Sequence, residues 1–245
     1  MIPSTGTHLH LSPQPTSNRN SLWDSFRSQL PFLTIFDPES LTRMIRSLID
    51  TQRHLGWLPD CRMSLCKGTP LSPPHPLPPL TTAGYTQGGS NADVVLADAF
   101  VKGISDQIDW EAGYRAVKKD ADEEPYDWSN EGRGGLMSWK SLHYIPVEDF
   151  DYLGFGTMTR SVSRTLEYSY NDFTIAQIAR GMNNSADAEK YEASSRNWEN
   201  LFRADQRSVV NGSDTGFTGF VQPKYLNGTW GYQVHLPNTH ILIPI

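Results

Sequence analysis

Three residues near the beginning of the chain have the types and spacing of a sugar-contacting group. In SLWDSFRSQLPFLTIFDPE, Trp23, Asp24 and Arg27 stand close together just before a helix. A flat indole stacks on the apolar face of a pyranose, while a carboxylate accepts from sugar hydroxyls and a guanidinium donates to them. The plainer use of an Asp and an Arg three apart is a local ion pair. In GGSNADVVLADAF, two glycines precede a helix whose first turn carries Asn91 and Asp93. Helix starts attract anions, yet the Lys and Ser or Thr of a phosphate loop are missing and no strand precedes the turn. An acidic side chain favoured by the helix dipole is the ordinary reason for Asp93.

A second group sits on one helix. Arg164, Glu167, Tyr168, Asn171 and Asp172 recur at offsets of 3, 4, 7 and 8, so they share one face of an otherwise apolar rod. A polar stripe on a buried helix must be satisfied, and interhelical hydrogen bonds are its expected use, ahead of a ligand-facing role. Glu111, Glu131, Glu148 and Asp149 are further carboxylates on loops or helix ends. Inverting glycoside hydrolysis needs two carboxyls roughly 6.5 to 9.5 Å apart. Spacing along the chain does not choose between them. Cys61 and Cys66 have no second ligand pair beside them, so a local disulfide or two buried thiols are expected rather than zinc. Asn183, Asn211 and Asn227 head N-glycosylation sequons.

The elements that must position these groups are mostly helices. Asp37 as N-cap and Pro38 at the first position open a helix whose Leu41, Met44, Ile45, Leu48 and Ile49 share one face. A second helix starts near Asn91, with Ala92, Val95, Leu96, Ala99 and Phe100 on one face and Gly103 as its stop. A third starts near Asp109 and carries Glu111, Tyr114, Val117 and Lys118. Between Tyr126 and Phe155, glycines, Pro146 and scattered aromatics break all periodicity, which predicts a long loop region. The helix from Ser161 to about Met182 is apolar over most of its circumference, through Val162, Leu166, Ser169, Phe173, Ala176 and Ala179, with Ile175 and Ile178 beside them. Such a helix belongs in an interior. Ser185 then caps a more amphipathic helix bearing Tyr191, Trp198, Leu201 and Phe202. Interior helices beside one-faced helices predict two concentric helical layers, and no series of alternating strands is expected.

Residues 1–20 read as an irregular leader, and Thr69 to Gly84, with six prolines, as an insertion foreign to the fold. The ending VHLPNTHILIPI, residues 234–245, reads as an atypical tail. A net charge of −6 and no basic cluster longer than Lys118–Lys119 argue against nucleic acid as a partner. No apolar run reaches the ~18 residues of a membrane span. No secretory leader follows Met1, so either the protein stays inside the cell or its true start is missing. The 11% aromatic content suits both sugar stacking and core filling.

Six collinear segments carry a resemblance. SLWDSFRSQLPFLTIFDPE, GWLPDCRMSLCKG, YTQGGSNADVVLADAFVKG, IDWEAGYRAVKKDA, GRGGL with SWKSLHYIPVED, and SVSRTLEYSYNDFTIAQIA together resemble glycoside hydrolase family 92, the exo-acting α-mannosidases. The resemblance runs from about Ser21 to Gln233, with the insertion at 69–84 skipped. It implies a mainly α chain forming part of an (α/α)6 toroid, with long loops and without the family's β-sandwich domain. It implies calcium-assisted hydrolysis of α-linked mannose with inversion, a mannose-containing glycan as partner, and an extracellular or secretory location. Trp23, Asp24 and Arg27 match the segment that faces the family's sugar pocket, and Asn91 and Asp93 are a weaker carry-over. The family's general acid lies in a segment like GNEPS and its general base in one like GNEDCGQ. Neither string occurs here, so this chain is expected to be inactive alone. Two other readings stay open: a non-catalytic helical module that binds glycans or a partner, and another helical-toroid enzyme with its carboxylates inside this chain.

Overall fold

A computed structural model describes residues 22–59, 89–105, 107–126, 128, 131–149 and 160–231. The leader, the Pro-rich stretch 69–84, Cys61, Cys66 and the tail 234–245 lie outside the described residues. Helices α1 (Leu22–Ser25), α2 (Gln29–Phe36) and α3 (Pro38–Leu55) come first. They are followed by α4 (Asn91–Val101), α5 (Trp110–Asp122), α6 (Leu136–Leu142), α7 (Ser161–Gly181) and α8 (Ser185–Ser194). A 3-10 turn over Asn197–Leu201 leads into a hairpin of β1 (Phe202–Val210) and β2 (Ser213–Val221).

Helix α3 forms where its signals stand. The Asp37 carboxylate accepts from the Ser40 backbone N–H at 3.0 Å, Pro38 opens the first turn, and Leu41, Ile45 and Ile49 are buried. Asp109 caps α5 in the same way, through the Ala112 N–H at 3.0 Å. Helix α4 departs from the one-faced expectation: Asn91 through Ala97, and Ala99, are all buried. Its small and branched side chains let α3, α5 and α7 close around it, and they share one hydrophobic cluster with it. Helix α7 packs most extensively against α8 and α4. Interior α4 and α7, flanked by α3, α5 and α8, make an arc of two helical layers, and the described helices do not close into a barrel.

Four further expectations change. The region 126–155 contains α6, whose seven residues are too few to show a period and which starts at Gly135 without a side-chain cap. Its first N–H, at Leu136, is instead satisfied by the Glu124 carboxylate at 2.7 Å. The cap of α8 is Asn184, one residue early, accepting from the Asp187 N–H at 3.2 Å. That helix stops at Ser194, so Trp198 and Leu201 lie in the 3-10 turn and Phe202 in β1. The hairpin itself was unexpected, because its strands are largely exposed and polar and show no apolar alternation. Its signal was the turn: Asn211 and Gly212 both have positive φ, 51° and 77°, as a two-residue type I′ connection requires.

Helix α7 is interior, and six of the eight side chains that suggested it, Val162, Ser169, Ile175, Ala176, Ile178 and Ala179, are buried. Leu166 and Phe173 are 37% and 43% exposed, whereas Arg164, Tyr168, Asn171 and Asp172 are buried. The polar stripe faces inward because partners wait for every member of it.

Candidate functional site

Leu22, Phe26 and Leu30 are buried at intervals of four and anchor the turn between α1 and α2. That anchoring leaves Asp24 and Arg27 on the outside. Trp23 is the second residue of α1. The Arg27 guanidinium lies 4.7 Å from the Phe26 ring centroid, and Nη2 donates to Glu167 Oε1 at 3.3 Å. Side-chain exposure is 53% for Arg27 and 18% for Glu167, so the pair sits at a surface with its carboxylate recessed.

Behind this edge the chain from Gly89 runs hard against α7. A Cβ on Gly89 would stand 2.6 Å from Asn171 Oδ1 and 2.9 Å from Glu167 Cβ, so only glycine fits. The approach lets Ser90 and Asn171 lock in both directions: the Ser90 N–H donates to Asn171 Oδ1 at 3.1 Å, and Asn171 Nδ2 donates to the Ser90 carbonyl at 3.0 Å. Asn91 and Asp93 follow at once, and both are fully buried. Unlike Asp24 and Arg27, they are therefore enclosed.

The partner of Asp93 is Arg133, also 0% exposed at the side chain. Arg133 Nη2 donates to Asp93 Oδ2 at 2.8 Å and Nη1 to Asp172 Oδ1 at 2.6 Å. Asp172 Oδ2 accepts from Ser194 Oγ at 2.5 Å and from Trp139 Nε1 at 3.3 Å. Thus one guanidinium ties α4, α7 and the loop before α6 together, and Asp172 brings in α6 and α8. Burial pulls against the Arg133 charge, but Asp172 and Asp93 outweigh it and hold its pKa above the ordinary range. Asp120 of α5 joins the same interior. Burial first, and then the Asp93 charge, push its carboxyl well above the usual carboxylate range, against an opposing pull from Arg133.

A second buried pair stands nearby, with Arg164 Nη2 donating to Asp149 Oδ2 at 2.9 Å and Ser138 Oγ donating to Asp149 Oδ1 at 2.6 Å. Arg164 also lies 4.8 Å from the Trp128 ring centroid. Tyr168 completes the stripe, its hydroxyl donating to the Gly134 carbonyl at 2.9 Å. Every member of the α7 stripe thus bonds to a residue outside α7; the partners are mostly loop and turn residues, and Asp172 alone reaches other helices, through Trp139 and Ser194.

Sequence reasoning missed Arg133 and Asp120. The signal for Arg133 was available: Asp93 and Asp172, both on interior helices, needed a cation, and GRGGL held a lone arginine among glycines. Nothing in Asp120's own surroundings marked it as more than one charge in a charged helix. Of the other carboxylates, Glu111 is exposed on α5, Glu131 is buried beside Pro59, and Glu148 accepts from the Leu226 N–H at 3.0 Å. The sequon residues Asn183, Asn211 and Asn227 are all exposed.

Residues 8–240 match the glycosyl hydrolase family 92 catalytic domain. The chain belongs to this family. An "Uncharacterized secreted glycosidase" from Arthroderma benhamiae is 53% identical to the family 92 chain over 223 residues, covering 91% of it and 25% of that relative. Among solved structures, a family GH92 inverting mannosidase from Bacteroides thetaiotaomicron superposes with a TM-score of 0.68 at 25% identity, covering 88% of this chain and 24% of that one. A family GH92 α-mannosidase of the same organism, in complex with mannoimidazole, shares the fold at a TM-score of 0.62 and 21% identity, over 86% of this chain and 22% of that one. The family 92 chain therefore spans about a quarter of the length of the relatives it matches.

Calcium is an expectation drawn from the sequence resemblance. Among the described residues, no three His, Cys, Asp or Glu side chains are grouped to hold a metal ion. Asp93 and Asp172 already bond to the Arg133 guanidinium, which also acts on the enclosed Asp120. A calcium ion taking six to eight oxygens does not fit there. Among the described residues, no helix is long and apolar enough to cross a membrane.

Proposed function

We infer that this chain is the sugar-recognising helical part of a family 92 α-mannosidase catalytic domain, acting on an α-linked mannose of a secreted or extracellular glycan. The observation that carries the reading is the Asp24–Arg27 edge, exposed and mounted on a buried polar base. An exposed carboxylate and, three residues on, an exposed planar guanidinium can accept from and donate to ring hydroxyls, and the Trp23 indole supplies a stacking face in this reading. Asn91 and Asp93 belong to the buried start of α4, where Asp93 bonds to Arg133.

The proton transfers are a separate matter. A general acid must reach the leaving oxygen and a general base must reach water. Among the described carboxyls, Asp93, Asp149 and Asp172 are buried and committed to arginines, while Asp120, its carboxyl pushed well above the usual range by burial, is fully enclosed. These groups build the frame and do not touch substrate. In this reading the described residues contribute binding and orientation. That same observation favours glycan binding without turnover as the behaviour of this chain in isolation. Exposed sequons at Asn183, Asn211 and Asn227 fit passage through the secretory pathway, and mass spectrometry of the secreted protein tests their occupancy.

Calorimetric titration of the chain with methyl α-D-mannoside, and with the glucoside as control, tests the reading. Mannoside-selective binding that weakens at least about ten-fold in Arg27→Ala is expected. Equal affinity for both sugars, or an unchanged Arg27→Ala, overturns the assignment. Incubation with an α-linked mannobiose and calcium should release no mannose, and clear turnover would place the catalytic groups inside this chain.

A further inference from the structure

We propose that Glu167 is a positioning residue that aims the Arg27 guanidinium at the bound sugar, and that Gly89 is the spacer that admits it. The proposal rests on the reading of Arg27 as a sugar contact. An arginine on a surface turn has a long side chain with many rotamers, and a contact made by it is only as well aimed as its bracing. Here the bracing comes from two sides. Phe26, buried beneath, presents its ring 4.7 Å from the guanidinium. That contact limits the distance of approach and leaves the plane free to turn. The hydrogen bond to Glu167 at 3.3 Å sets the plane, because the five N–H donors of a guanidinium form one rigid fork.

Glu167 can act this way because its own place is fixed. It stands one turn before Asn171 on α7, and Asn171 is locked to Ser90 by two hydrogen bonds. Gly89 packs against both residues closely enough that a Cβ would collide with each. Tyr170, also on α7, lies 6.1 Å from the Phe26 ring, so the same stretch of helix holds both braces in register. The chain of fixation thus runs from the buried Ser90–Asn171 lock, through one helical turn, to the exposed guanidinium.

The test is a double-mutant cycle on the full chain with methyl α-D-mannoside as the probe. Glu167→Gln keeps the side chain's size and one acceptor but removes the charge. We expect Glu167→Gln to weaken binding by about three- to ten-fold with an unchanged melting temperature, and the double variant with Arg27→Ala to bind no more weakly than Arg27→Ala alone. The Arg27 Nε resonance of the free chain, followed by nitrogen-15 NMR, should shift in Glu167→Gln, and this readout stands even if binding is weak. Full affinity in Glu167→Gln beside a weakened Arg27→Ala, additive losses in the double variant, or a stationary Nε signal would overturn the positioning role alone. Failure of the unaltered chain to bind mannoside would overturn the sugar-binding reading and this inference with it.

Discussion

Replacing Asp120 by Asn isolates the effect of one enclosed carboxyl on stability. In the folded chain its carboxyl is enclosed and faces Asp93, so it holds a proton that the unfolded chain gives up near the ordinary value of 3.8. The native state therefore binds more protons than the unfolded state between 3.8 and the raised folded value. Linkage makes stability fall as pH rises through that window, with the full contribution present below 3.8. The slope from one such group is at most about 1.4 kcal/mol per pH unit. An amide at position 120 does not titrate and removes the slope. It also brings a second N–H that needs an acceptor, which costs a roughly constant ~1–3 kcal/mol if left unmade. The informative quantity is thus the slope of the difference between the two proteins, and not its offset. Urea unfolding of both, followed by tryptophan fluorescence from pH 4.5 to 7.5, gives that difference while the other titrating groups cancel. Asp120→Asn should gain on the parent as pH rises. Parallel profiles would refute the placement of a protonated carboxyl beside Asp93.

Arg133→Met leaves Asp93 and Asp172 buried without their cation and should lower stability by about 3–5 kcal/mol in the same urea assay at neutral pH; a loss under ~1 kcal/mol would show that the guanidinium is not the centre of the network. Gly89→Ala drives a Cβ into Asn171 and Glu167 and should cost about 1–3 kcal/mol, with faster hydrogen exchange at the Ser90 amide. An unchanged exchange rate there would mean that the close approach to α7 is not needed.

The helices with strong ends were the legible part of the fold. Asp37–Pro38 and Asp109 announced α3 and α5, because a cap is a local device that needs only its own first turn. Asn211–Gly212 was as local and as clear, yet the polar strands beside it hid the hairpin from a search for apolar alternation. What stayed illegible depends on distant partners. Leu166 and Phe173 look like core, and Asn171 and Asp172 look like surface, until Ser90 and Arg133 are placed opposite them. Asp24 and Arg27 are singled out by the motif and stand exposed, whereas burial of Asn91 and Asp93 follows from helix packing that no single segment encodes.

The inward stripe on α7 also determines how that helix can move. A rod held by smooth apolar contacts can creep along its axis or roll a little at small cost. Sliding α7 by one residue would translate it about 1.5 Å and turn it about 100°. Asn171 would then leave Ser90, Asp172 would leave Arg133, Arg164 would leave Asp149 and Glu167 would leave Arg27, all in one step. The helix is keyed like a tumbler in a lock, with intermediate settings penalised at four points along its length.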